Sequence, residues 1–259
     1  MQASCILNNL SPAERIVNRP EILIGTSGWH YDDWKGRFYP EKLARSKWLS
    51  FYSNHFRAVE VNATFYRIFP GSVYAGWGAR VPPDFRFVFK APRLITHRRY
   101  LSGVDTEIGE FCRQATSIGD RFGLILLQLA PDTPADQLLL GSALAAFRDT
   151  GVAVEFRDSR WLTDETRNTL EKNRAVFCAV DSPKMTIRDW VTSDTAYLRL
   201  HGRGRWYDYL YNEDELEEIA GHVKAMGSLG AKRIYVFFNN DPCGYAVKNA
   251  DTLNKILAG

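Results

Sequence analysis

The sequence predicts a single α/β domain folded as a closed (β/α)8 barrel, and three observations carry that prediction. Eight short runs rich in β-branched and aromatic residues follow one another at roughly 20- to 40-residue spacing. Helical patterns lie between most of them, which is the signature of βαβ units and a parallel sheet. No Pro/Gly/Ser-rich linker divides the 259 residues, a usual length for one such barrel. A glycine-rich dinucleotide fingerprint is missing after the first run, so closure is favoured over an open doubly wound sheet.

In chain order, Ser11-Pro12-Ala13-Glu14 reads as a capping box with proline at the first helical position, predicting a short helix within an extension over residues 1–21. The barrel then occupies residues 22–259. Ile22–Thr26 is the first strand, followed by a helical pattern over Glu41–Phe56. Ala58–Asn62 is the second, but the segment after it, Ser72–Arg80, holds Gly76 and Gly78 and predicts a poor helix. Arg86–Lys90 precedes the helix Thr106–Arg121, Gly123–Leu129 precedes Ala135–Asp149, and Val152–Arg157 precedes Thr163–Asn173. After the sixth strand, Ala175–Asp181, only Met185–Val191 is left for a helix, so this unit is expected to be irregular, like the second. Thr195–His201 with Asn212–Ser228, and Ile234–Asn239 with Gly244–Leu257, complete the set.

Composition bounds the function classes. Hydrophobic content of 45% and charged content of 24% are ordinary for a globular chain, and a net charge of +3 is too small to argue for nucleic acid and leans only weakly toward anionic partners. Cys5, Cys112, Cys178 and Cys243 form no close pair, which excludes paired-cysteine zinc spacing and disfavours a disulfide framework. No apolar stretch approaches a membrane span, and the first twenty residues lack a secretion pattern, so a cytoplasmic protein without membrane attachment is expected. Oligomeric state is not readable.

Side chains two apart on a strand share a face. Glu60 with Asn62, Glu155 with Arg157, and Arg199 with His201 therefore share faces opposite the apolar Val59 and Val61, Val154 and Phe156, and Leu198 and Leu200. Packing the apolar sets against helices aims the polar sets into the barrel. The other strands end on Thr26, Lys90, Gln128, Asp181 and Asn239. All are C-terminal ends, where barrel enzymes build their sites. Glu60, Glu155 and Asp181 balance Lys90, Arg157 and Arg199, so a structural ion-pair network is the competing explanation.

Ile24-Gly25-Thr26-Ser27-Gly28-Trp29 and Phe38-Tyr39-Pro40 resemble the opening of the YecE-like family of uncharacterised proteins, domain of unknown function 72. The resemblance continues through Val59-Glu60-Val61-Asn62-Ala63-Thr64-Phe65-Tyr66, Phe85 to Pro92, Ile95-Thr96-His97 and Leu127-Gln128-Leu129. Later matches are Val154-Glu155-Phe156-Arg157 with Trp161, Arg199-Leu200-His201-Gly202-Arg203, and Phe238-Asn239-Asn240 with Gly244 to Ala246. Ala63 departs from the pattern, in which a carboxylate often follows the asparagine. The resemblance implies a barrel of the triosephosphate-isomerase type and supplies no reaction.

The residues favour an enzyme performing acid/base chemistry on a small polar, anionic substrate, phosphorylated or carboxylated. Glu60, Glu155, Asp181 and His201 are the candidate acids and bases. Thr26, Trp29, Asn62, Lys90, His97, Gln128, Arg157, Arg199, Asn239 and Asn240 are the candidate substrate-binding groups, the cations gripping the anion. Asn240-Asp241-Pro242 resembles a helix start, with Asp241 read first as a cap. No Gly-x-Ser-x-Gly surrounds Ser27, so covalent catalysis is not expected. No cofactor is predicted. Two alternatives remain: a divalent-metal hydrolase or isomerase using Glu60, Glu155, Asp181 and His201, and a non-catalytic nucleotide or nucleic-acid binder. The second rests on Arg93, His97, Arg98 and Arg99 after the third strand and Arg203 and Arg205 after the seventh, with aromatics interleaved. The favoured partner is a small molecule.

Overall fold

The computed structural model describes residues 19–147 and 150–259. The expected helix at Ser11 lies outside them. Eight parallel strands close in chain order: β1 (Glu21–Thr26), β2 (Ala58–Val61), β3 (Arg86–Lys90), β4 (Phe122–Gln128), β5 (Val152–Glu155), β6 (Val176–Asp181), β7 (Thr195–Leu200) and β8 (Arg233–Phe238). Six-residue ladders from Glu21–Arg233 to Thr26–Phe238, and from Thr195–Arg233 to Leu200–Phe238, close the ring through β8. Around it run α1 (Trp48–Tyr52), α2 (Gly71–Gly78), α3 (Asp105–Ala115), α4 (Gln137–Phe147), α5 (Asp164–Lys172), α6 (Glu213–Ser228) and α7 (Tyr245–Ala258). Among the described residues no helix is long and apolar enough to cross a membrane.

Strand parity sorts the core into two shells. Leu23, Ala58, Val88, Leu124, Leu126, Ala153, Cys178, Tyr197 and Phe237 fill the barrel. The alternate residues, such as Val59, Phe87, Leu127, Val154 and Leu198, pack outward against the helices. One layer above the apolar plug the inward positions turn polar, and this transition sets the floor of the mouth.

The connections differ from expectation in three places. Glu41–Phe56 forms a 3-10 turn and the five-residue α1 rather than one long helix. Specific anchors fix this stub: Trp48 stacks on Tyr39 at 4.6 Å, and Tyr52 reaches inward to donate to the Ala58 carbonyl at 3.0 Å. The second unit does carry a regular helix, α2. Its fully buried Tyr74 packs edge-on against Phe89 at 4.9 Å, and that burial outweighs the low propensity of its glycines. The third helix ends at Ala115 and passes into a 3-10 segment holding Gly119 at φ 71°. The sixth unit is irregular, as expected, and Met185–Val191, the segment left for a helix, forms none; Ser182 and Met185 exchange backbone hydrogen bonds of 2.9 and 3.3 Å instead.

β1 and β2 share only the pairs Gly25–Ala58 and Thr26–Val59. A Cβ at Gly25 would lie 2.0 Å from the Ala58 carbonyl oxygen and 2.9 Å from the Tyr52 hydroxyl. Here glycine is required by close backbone approach. Gly25→Ala is expected to force the strands apart at a cost of about 3 kcal/mol, seen as a thermal midpoint lowered by roughly 6–12 °C; an unchanged midpoint would show that the strands tolerate separation.

Candidate functional site

The inward positions of β2, β5 and β7 meet at the top of the plug. Arg199, 1% exposed, lies between two fully buried carboxylates. Its Nη2 and Nε donate to Glu60 Oε1 and Oε2 at 2.6 and 2.9 Å, while Nη1 donates to Glu155 Oε2 at 2.5 Å. Ser27 Oγ donates to Glu60 Oε1 at 2.9 Å and Tyr197 Oη to Oε2 at 2.7 Å. Gln128 Nε2 donates to both oxygens of Glu155 at 3.0 Å, and Arg157 pairs with Oε1. All four carboxylate oxygens thus accept from protein donors. Burial alone would raise both acids, but Arg199 at Glu60, and Arg157 with Arg199 at Glu155, hold them below the usual carboxylate range. They are fixed anions, not proton carriers near neutrality.

His201 stands beside this cluster, fully buried, with Nε2 3.7 Å from Glu155 Oε1 and Nδ1 accepting from Asn239 at 3.1 Å. Burial and then the Arg199 charge lower its pKa to about 4, so the ring is neutral at physiological pH. Trp206 and Tyr207 cover it at 5.4 and 5.6 Å, and the Arg157 guanidinium lies over Trp206 at 5.1 Å. Tyr207 keeps a left-handed backbone, φ 66°, to stay there.

Two groups titrate close to neutrality. Lys90 caps β3, its Nζ 4.5 Å above the Phe65 ring; burial, then Arg199, lower its pKa to about 8. Asp241 follows β8. The residue is half-buried, yet Oδ1 is sealed from solvent and has no hydrogen-bond partner. Burial, with the nearby Glu60 charge, pushes this carboxyl up to about 8. It makes no cap hydrogen bond, contrary to the capping expectation; Asp33 accepts from the Cys243 N–H instead. Its neighbour Tyr31 donates to the Ser27 carbonyl at 2.5 Å.

The sequence-predicted residues divide by parity. Glu60, Lys90, Gln128, Glu155, Arg157, Arg199, His201 and Asn239 share the mouth, and Asn62 borders it, donating to the Ser27 carbonyl at 3.3 Å. Asp181 does not join them. It has the parity of Phe177 and Ala179, so its side chain leaves the barrel and accepts from Arg203 at 2.9 Å. There it lines a polar hollow of about 320 Å³ with Ser182, Glu218 and His222. Thr26 also faces outward and hydrogen-bonds Tyr52 Oη at 2.9 Å, while Ser27 takes the inward place. Asn240 braces Asn249 and the Tyr209 carbonyl at 2.9 and 2.7 Å. Trp29 packs edge-on against Trp77 of α2 at 5.9 Å. His97 sits at the rim, bonded to Thr96 at 2.8 Å and edge-on to Phe65 at 5.0 Å. Tyr197 was not singled out by sequence, although it stands two residues before Arg199 on the same face.

A larger hollow of about 700 Å³, bordered by Asp105, Cys112 and Phe147, lies between α3 and α4, away from this cluster. Convergent polar groups, not volume, locate the site. Among the described residues no group of three or more His, Cys, Asp or Glu is placed to hold a metal ion.

Comparison with known proteins gives a consistent result. The model of the family described as "Protein of unknown function DUF72" matches residues 23–259. The UPF0759 protein YunF of Bacillus subtilis is 27% identical over 91% of this chain and 94% of its own. YecE of Escherichia coli is 32% identical over 42% of this chain and 37% of its own. A DUF72 family protein of Thermotoga maritima, of known crystal structure, superposes with a TM-score of 0.84 at 33% identity, covering 92% of this chain and all of that one.

Two outcomes follow from the ion cluster. Arg199→Met leaves two carboxylates buried without their shared cation and is expected to cost about 3–5 kcal/mol in urea unfolding; near-neutral stability would show that the acids are solvated. His201 has a folded pKa below its unfolded value of 6.5. Its contribution is complete above pH 6.5 and is lost as pH falls towards 4, because the unfolded ring takes up a proton that the buried ring refuses. Wild type is therefore expected to lose about 2 kcal/mol more than His201→Gln between pH 7 and pH 5; parallel acid limbs would contradict the buried neutral ring.

Proposed function

The chain belongs to the DUF72 family, and we propose that its barrel mouth is an active site for proton transfer on a small anionic substrate, phosphorylated or carboxylated. Lys90 carries this reading. Glu60 and Glu155 are neutralised by Arg199 and Arg157, and among the described residues no carboxylate lies within 4 Å of Lys90. The protonated ammonium is thus one positive charge in excess, partly desolvated and facing the mouth. An anionic group restores the balance there, with Arg157 at its side and the amides of Asn62 and Asn239 within the same rim.

The reactive protons belong to groups whose pKa values lie near neutrality. Asp241, protonated below about pH 8, supplies a proton, and Lys90, cationic below about the same value, holds the anion and can release its own proton as the substrate's charge develops. Glu60, Glu155 and Arg199 fix the electrostatic frame. His201 orients Asn239 and, staying neutral, keeps the mouth from gaining a fourth cation beside Lys90, Arg157 and Arg199. With every carboxylate oxygen of Glu60 and Glu155 engaged, these acids serve guanidinium partners rather than a divalent ion. We place the protein in the cytoplasm, since Cys112, Cys178 and Cys243 are free thiols.

Thermal-shift measurements with sulfate, inorganic phosphate and short dicarboxylates test the site. A bound anion at about 100 times its dissociation constant stabilises by roughly 2.7 kcal/mol, a shift of about 5–10 °C, which Lys90→Met is expected to abolish. Sulfate keeps its charge across the range, so its affinity should fall above about pH 8 as Lys90 deprotonates. Lys90→Arg should hold that affinity at higher pH. Absence of any shift, or equal shifts in Lys90→Met, would overturn the proposal.

A further inference from the structure

The rim between the second and third strands carries a feature that the mouth chemistry does not use. A shallow hollow of about 230 Å³ is bordered by Phe65, Tyr66, Arg67, Arg93, Leu94 and Arg98. Tyr66 is 73% exposed, so one face of its ring is open to a ligand. Arg67, Arg93 and Arg98 are all exposed, and among the described residues none forms an ion pair; the Arg67 guanidinium lies over the Phe69 ring at 4.3 Å with its edge free, and Arg99, next in the chain after Arg98, is taken by Glu107 at 3.6 Å. No acidic side chain lines the hollow.

The backbone is shaped to present these groups. Leu94–Arg98 forms one turn of π-helix, and Tyr100 and Leu101 follow with left-handed φ of 47° and 69°. Such turns concentrate at functional positions because ordinary helical packing does not favour them. Phe65 forms the inner wall. Its ring carries Lys90 above one face and meets His97 edge-on, so the hollow adjoins the mouth.

An exposed ring flanked by unpaired guanidinium groups is complementary to one ligand chemistry: a planar base to stack on the ring and a phosphate for the guanidinium forks to grip. The hollow has room for one such base. We propose that this rim hollow binds a nucleotide, with the base on Tyr66 and the phosphate held by Arg67, Arg93 and Arg98. This site stands independently of the anion site at Lys90. A free mononucleotide and a single strand present the same chemistry.

Calorimetry on Lys90→Met, in which the mouth no longer takes anions, with adenosine monophosphate and inorganic phosphate as the base-free control, and anisotropy with a short labelled oligothymidylate test the proposal. Adenosine monophosphate is expected to bind more tightly than phosphate. Tyr66→Ala should weaken it by about 5- to 150-fold, while Tyr66→Phe retains it. The Arg93→Gln, Arg98→Gln double variant should flatten the salt dependence of oligothymidylate binding. A tighter oligonucleotide identifies a strand as the natural ligand, and equal affinities identify the free nucleotide. Lys90→Met should lose sulfate binding and keep nucleotide binding, which separates this site from the mouth. Adenosine monophosphate binding no tighter than phosphate, or unchanged in Tyr66→Ala, overturns the proposal.

Discussion

One guanidinium organises the upper half of this barrel. Arg199 is sealed from solvent and spans from Glu60 on β2 to Glu155 on β5, so three strands that share no ladder are tied across the lumen. Removing two carboxylates and an arginine from water is costly, and mutual pairing offsets that cost only when every oxygen has a donor. Ser27, Tyr197, Gln128 and Arg157 complete the set. The cluster forms a rigid, charge-balanced floor, and everything facing the mouth titrates in its field.

That field separates otherwise similar groups. Two buried glutamates stay ionised because guanidinium groups face them, while a third carboxyl, on Asp241, stays protonated because burial, with the Glu60 charge nearby, disfavours its anion. A histidine at a strand end is expected to switch near neutrality, yet burial, with Arg199 beside it, removes His201 from that range. The same downward shift brings Lys90, from its higher starting value, into the range where proton exchange is useful. Burial alone does not decide which group is reactive; the partner facing each one does.

Much of this was legible in the sequence, because parity is a hard constraint. Wherever a strand offered an alternating apolar reference, as Val59 and Val61 do for Glu60, the inward face was read correctly, and β2, β5 and β7 supplied the ion cluster. Where the strand was apolar on both faces, as in Val176–Asp181, a polar terminal residue could not be assigned a side, and Asp181 turned out to face the helices. Thr26 has the same ambiguity, since its strand enters a turn in which Ser27 is the inward residue. The helix expected over Glu41–Phe56 was cut short by aromatic anchoring that no local propensity encodes. Asp241 looked like a cap because Asp-Pro after a strand commonly is one; only the position of Asp33, 208 residues earlier in the numbering, frees it from that role.

The span of the ion cluster along the chain has a consequence for how the protein is made. Glu60 and its arginine are 139 residues apart, and Glu155 is 44 residues from the same arginine. During synthesis from the N-terminus, the first five strands emerge with two lumen-facing acids and no Arg199 to neutralise them. A nascent half-barrel therefore keeps its interior wet, or its acids protonated, until β7 arrives. Drying of the upper lumen therefore waits for the seventh strand and closure of the ring for the eighth, so both fall late in synthesis.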